Sequence, residues 1–125
     1  MTTIETIRIS EKAKAHLIML KRRTGIQNWN VLCRWAFCVS LNDPSIPPTE
    51  KVQTDSSIEM TWKVFGGAHA EVYFALLVQR CKKEGLPLSS KTLNEQFKLH
   101  LHRGIAYLSS KTKLMKVSVL LGMIT

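Results

Sequence analysis

The chain is short of acids. Its 125 residues hold 9 Asp and Glu against 18 Lys and Arg, a formal net charge of +9. Such an excess disfavours cationic partners and points to a polyanion, nucleic acid first and an anionic membrane surface second. Cysteine is scarce as well. Cys33, Cys38 and Cys81 are odd in number and show no CxxC spacing, so no paired-cysteine motif is present and reduced core thiols are expected. No apolar run approaches the ~20 residues needed to span a bilayer. The opening MTTIETIRIS is polar and charged, unlike a secretory leader. A cytoplasmic protein with no membrane partner is expected.

Catalytic constellations are missing too. His100 and His102 are two apart. On a helix that spacing turns them ~200° from each other, whereas metal ligands want spacings of three or four. His16 and His69 have no cysteine near them in sequence, and Glu71, Glu84 and Glu95 form no pair at catalytic spacing. Gly66-Gly67 lacks the rest of a phosphate-binding loop and reads as a turn. No catalytic residue, metal ligand or cofactor site is assigned, and the chain is expected not to be an enzyme.

What is present suffices for one folded domain. Hydrophobic residues are 45% and charged residues 22% of the chain, enough for a packed core. A core of this size is still limited, which leaves oligomerisation open. The charge is uneven. Residues 1–42 carry seven cations and two acids, residues 43–59 one cation and four acids, and residues 60–125 ten cations and three acids.

The expected fold is mainly α: four or five helices, a short N-terminal strand and a candidate second strand. Residues 6–9 (TIRI) alternate as a very short strand. Ser10 is a natural N-cap, and Glu11 suits the positive end of a helix dipole. Ala13, Leu17 and Leu20, with Ile18 as a fourth candidate, line one face of a first helix. Gly25 is its natural terminator. Asn28 or Gln27 opens a second helix, whose stripe is Trp29, Leu32, Cys33, Ala36, Phe37 and Ser40. Trp35 lies off that stripe and predicts a second buried face, covered by neighbouring helices or by another subunit. Residues 42–57, with Pro44, Pro47 and Pro48, read as a loop. Ile58, Met60, Trp62 and Val64 alternate with polar residues, the clearest strand signal in the chain. Residues 68–84 read as a third helix with Val72, Tyr73, Leu76, Leu77 and Arg80 turned inward. Gly85 and Pro87 stop it. Ser89 or Ser90 caps a fourth, with Leu93, Phe97, Leu101, Ile105 and Leu108 as its stripe. Residues 109–125 form a basic, then apolar, tail.

The sharpest functional feature is Lys21, Arg22 and Arg23 at the end of the first helix. Cations there complement the helix dipole by ~0.3–1 kcal/mol each. Three adjacent ones point in different directions and cannot all serve the last carbonyls. Together with Arg8, Lys12 and Lys14, and with the amide side chains of Gln27 and Asn28 where the second helix begins, they form a candidate DNA-binding set. A solvated basic face is the bland reading of the same residues. A strand followed by two helices around a glycine turn is also the plan of a ribbon-helix-helix module.

Four segments, IRISEKAKAHLIMLKRRTGIQNWNVLCRWAF, IEMTWKVFGG, LLVQRCKKEGL and FKLHLHRGIAYL, resemble the DndE family of bacterial DNA sulfur modification, in which sulfur replaces a non-bridging phosphate oxygen. The resemblance spans about residues 5–108 and suggests a single DndE-like DNA-binding domain over residues 1–108. It implies a mostly helical protein with a ribbon-helix-helix-like part that assembles as a homotetramer. It also implies binding of double-stranded DNA, with nicked duplex preferred, through basic surface residues. The implied protein partners are the other components of the system: a cysteine desulfurase, an iron–sulfur protein resembling PAPS reductases, and an ATPase. Two other readings of the chain stand beside this one, a ribbon-helix-helix transcription regulator and a DNA-nicking enzyme.

Overall fold

A computed structural model of the chain describes residue 4, residues 6–49 and residues 51–111. In chain order the elements are β1 (Thr6–Arg8), α1 (Glu11–Thr24), α2 (Trp29–Asn42), β2 (Glu59–Thr61), α3 (Trp62–Gly66), a 3-10 turn (Gly67–His69), α4 (Ala70–Lys83) and α5 (Ser90–Lys111). The protein is mainly helical, with the strand–helix–helix order expected at its N-terminal end.

Local chemistry sets most of the boundaries. The Ser10 hydroxyl accepts the Ala13 amide at 3.0 Å and starts α1. Gly25 ends it at φ 77°, its N–H donating to the Lys21 carbonyl at 2.9 Å. That is the left-handed termination that glycine adopts without penalty. The Ser89 hydroxyl accepts the Thr92 amide at 3.2 Å where α5 begins. α5 runs through Lys111, so helix continues past residue 108 into the stretch read as a tail. Residues 112–125 lie outside the described residues.

α5 is the spine of the core and packs mainly along α2, with α1 and α4 beside it. Leu93, Phe97, Leu101, Ile105 and Leu108 of α5 are all buried, as are Leu32, Cys33, Ala36, Phe37 and Ser40 of α2. Trp35, off the α2 stripe, is only 8% exposed within the single chain. Its burial therefore needs no second subunit.

The expected long strand from Ile58 is cut short. β2 ends at Thr61, whose hydroxyl accepts the Val64 amide at 3.1 Å and caps α3. Helical spacing then carries Trp62 and Phe65 inward together. Phe65 packs edge-on against Phe37 at 5.8 Å and Phe97 at 5.0 Å, and Trp62 lies 5.1 Å from Phe97. Val64, inward in a strand, is 51% exposed instead. The aromatic cluster outweighs local alternation here.

β1 pairs antiparallel with β2, Thr6 opposite Thr61, Ile7 opposite Met60 and Arg8 opposite Glu59. Ile7 and Met60 face the core. In α4, Leu77 and Cys81 are buried, but Val72 is 55% and Leu76 38% exposed, which corrects the inward reading of both. Ile18 of α1 is exposed as well.

Two arginines tie down the loop after α2. Arg80 donates to the carbonyls of Leu41, Asp43 and Ser45 at 2.8–2.9 Å. Arg103 donates to the Ser40 carbonyl at 2.8 Å and the Ser45 carbonyl at 2.9 Å. Beside the Asp43 amide, which donates to the Ser40 carbonyl at 3.1 Å, these guanidiniums satisfy the open carbonyl end of α2.

Candidate nucleic-acid interface

Lys14 and Lys21 are seven residues apart, which places them on one face of α1 about 10 Å from each other along its axis. That face forms one wall of a groove of about 690 Å³. Gln27, Asn28, Trp29 and Asn30 form the second wall, and Ser57 to Met60 with Val64 the third. The groove gathers four of the eight residues in the candidate set: Lys14, Lys21, Gln27 and Asn28.

Its polar groups are partly engaged. Lys14 Nζ donates to the Ser57 hydroxyl at 2.7 Å. Lys21 Nζ lies 3.6 Å from the centroid of the Trp29 ring, a cation–π contact. Gln27 Nε2 donates to the Gly25 carbonyl at 3.3 Å, and Asn30 Nδ2 donates to the Val64 carbonyl at 3.2 Å. Asn28 is the N-cap of α2 but its side chain makes no capping bond. The first amides of α2 therefore have no Asn28 side-chain oxygen over them where the helix begins at the groove, and a helix start of that kind favours anions.

The other four candidates go elsewhere. Arg8 forms an ion pair with Glu59, its register partner, and donates to the Ser56 carbonyl at 3.1 Å. The exposed face of the strand pair thus carries one cation and one acid, and the long donor expected to reach DNA is held by its neighbour. Lys12 is exposed but points ~200° from Lys14, toward a separate cavity of about 430 Å³ with His16, Lys51 and His102 on its walls. Burial, then the nearby Lys12 charge, lowers the pKa of His16. Arg23 donates to the Ser109 carbonyl at 3.3 Å and links α1 to α5. Arg22 is exposed beside it. So the three adjacent cations divide: Lys21 faces the groove, Arg22 faces solvent and Arg23 serves the fold.

Trp29 is the groove residue that sequence reasoning placed elsewhere, in the core stripe. It is half-buried, packing against the core while lining the groove. Its position at the first turn of a helix, one turn past the glycine that follows the basic cluster, was the available signal.

His100, His102 and the thiols lie away from the groove. His100 is fully buried, with Nδ1 2.8 Å from the Ser40 hydroxyl. Burial first, then the charges of Arg80 and Arg103, lower its pKa to about 4. The Nε2 of His102 accepts the Ser10 amide at 3.1 Å, pinning the start of α1 to α5. Burial pushes the Cys33 thiol up to about 12 and raises Cys38 and Cys81. All three thiols are free. Among the described residues no group of three or more His, Cys, Asp or Glu could hold a metal ion, and no helix is long and apolar enough to cross a membrane.

Comparison with known proteins gives a consistent result. Residues 6–116 match the family model described as DNA sulphur modification protein DndE. The fold is similar to a crystal structure of DndE from Escherichia coli B7A involved in DNA phosphorothioation modification, with a TM-score of 0.70 and 23% identity. That match covers 83% of this chain and 95% of the other. It is also similar to a DndE G21/24K mutant involved in DNA phosphorothioation, with a TM-score of 0.67 and 20% identity, covering 86% and 99% of the two chains. No curated protein matches the sequence.

Proposed function

The chain belongs to the DndE family of DNA sulphur modification proteins, and from that premise we propose that it is the DNA-binding component of a phosphorothioation machinery. The observation that carries this reading is the convergence of Lys14, Lys21, Gln27 and Asn28 on one groove in a protein of net charge +9. Two lysines on one helix face can each hold a backbone phosphate, and amide donors add further backbone contacts. Such contacts hold duplex DNA without reading its sequence.

The strand pair supports this reading over a sequence-reading regulator. A ribbon-helix-helix regulator builds its ribbon from strands of two subunits and reads base edges with their side chains. Here β1 pairs with β2 of the same chain, and Arg8 is engaged by Glu59. Recognition then rests on DNA structure, with nicked duplex preferred because a nick makes bending cheaper. In this reading the protein holds DNA for the sulfur-transfer components in the cytoplasm and performs no chemistry itself.

Assembly as a homotetramer belongs to the same reading. Val72 and Leu76 lie one turn apart on α4 and expose apolar surface beside Ala75, which supports a subunit contact on this face.

Competition binding tests the function. A nicked duplex of arbitrary sequence is expected to displace an intact duplex of equal length. One intact sequence outcompeting all others by orders of magnitude, with nicking adding nothing, would favour the regulator. Strand cleavage by the purified protein would favour a nicking enzyme.

A further inference from the structure

Cations read phosphates, and phosphates are present in intact and nicked duplex alike. Easier bending at a nick acts through the whole basic surface; a group that meets the interrupted base stack would act at the interruption itself. Trp29 has that chemistry and the right position. Its indole lines the groove between Lys21 on α1 and Asn28 and Asn30 on α2. A ring face is covered by the Lys21 ammonium, 3.6 Å from the centroid. Trp29 is partly buried against the core, whereas the lysine over its ring is a flexible chain.

Inside a continuous duplex both faces of every base pair are occupied by neighbours. At a nick, a gap or an end, a terminal base unstacks at low cost and offers a free face. An indole in a basic groove is a platform for such a face, as aromatic side chains are in proteins that bind single strands. We propose that Trp29 is a stacking platform for an exposed terminal nucleobase and that Lys21 is its removable cover. When a base takes the ring face, the displaced ammonium stays beside the groove wall, where the adjoining phosphate can receive it. The cation–π contact holds the site closed and the lysine in place until DNA arrives. This inference rests on the DNA-binding reading above.

The test uses the full chain, Trp29→Leu and Trp29→Phe, with thermal melts to confirm folding. Three DNAs of one sequence are compared: a closed intact circle, the same circle with one nick, and a blunt linear duplex. Wild type is expected to bind the nicked circle more tightly than the closed one. Trp29→Leu should lower the ratio of nicked-circle to closed-circle affinity roughly 5- to 150-fold, while Trp29→Phe keeps most of that ratio. A Trp29-dependent gain on the linear duplex but not on the nicked circle would assign the exposed base to duplex ends. Equal losses on all three DNAs, or an unaltered nicked-to-closed ratio in Trp29→Leu, overturn the inference and leave the DNA-binding reading intact. Wild type failing to bind any of the three overturns that reading itself. Should Trp29→Leu not fold, wild type decides. A 5-iodouracil at the nick terminus is expected to photocrosslink to the tryptic peptide at residues 24–34, in which Trp29 is the one aromatic residue. Crosslinking confined to other peptides overturns the platform.

Discussion

Gly104 and Ala36 meet backbone against backbone: a Cβ on Gly104 would overlap the carbonyl oxygen of Ala36. This is where α5 crosses α2, the most extensive helix contact in the fold. A glycine inside a helix costs ~1 kcal/mol in propensity, and here that cost is offset by the close approach of the two helices. The obstacle to a side chain is a main-chain carbonyl, which cannot rotate away. Gly104→Ala is expected to lower stability by about 3 kcal/mol, at the upper end of overpacking effects. Chemical denaturation checks it, and an unchanged or raised midpoint would refute this packing account.

Arg103 and Arg80 add to net charge but serve the fold. Arg103 holds the Ser40 hydroxyl at 2.8 Å as well as two loop carbonyls, and its side chain is 9% exposed. Arg103→Ala is expected to cost roughly 2–3 kcal/mol through the loss of these charge-assisted hydrogen bonds. Measured on folded protein, DNA affinity and its salt dependence should stay near wild type. A large loss of affinity in the folded variant would place Arg103 in the DNA contact.

Acid should loosen the same region. His100 titrates at about 4 in the folded chain against 6.5 ordinarily. Between those values the unfolded chain binds a proton that the folded chain does not, so stability falls as pH drops through that window. The loss is at most roughly 3 kcal/mol. Asp43 acts lower down. Hydrogen bonds from the Ser45 backbone and side chain, then from Tyr107, hold its carboxyl at about 2 against 3.8. Its contribution is present above 3.8 and lost as pH falls toward 2. Denaturation midpoints of wild type and His100→Asn at pH 7, 5.5 and 4.5 isolate the histidine. The variant should show the flatter profile, and parallel profiles would sink the assignment.

The exposed pair on α4 makes assembly testable. Light scattering at micromolar concentration is expected to report four chains, and Leu76→Glu to yield smaller species. A monodisperse wild-type monomer would contradict the tetramer. So would a Leu76→Glu tetramer contradict the choice of this face.

Much of the fold was legible because its signals are local. Ser10, Gly25 and the α5 stripe from Leu93 to Leu108 follow from capping chemistry and helical period, which act within a few residues. What was not legible depends on partners far away in sequence. Nothing near Trp62 says that Phe74 and Phe97 will draw it onto a helix. Val72 and Leu76 satisfy a helical stripe whose neighbours then pack elsewhere. Arg80 falls on an inward face by helical period, but the carbonyls that it and Arg103 hold come from the loop after α2, which nothing near either residue announces. The candidate site divides in the same way. Lys14 and Lys21 share a face by period alone, but the engagement of Arg8 by Glu59 needs a strand pairing across 51 residues.

The most direct test of the account is the salt dependence of DNA binding by wild type and the Lys14→Ala/Lys21→Ala double variant, measured on one intact duplex. If both lysines hold phosphates, the affinity of wild type falls steeply with salt. The slope of log K against log salt then shrinks by roughly 0.9 for each lysine removed on duplex DNA, or about 2 for the pair. A folded double variant with an unchanged slope, or a wild type whose binding is indifferent to salt, would contradict the groove as the DNA interface.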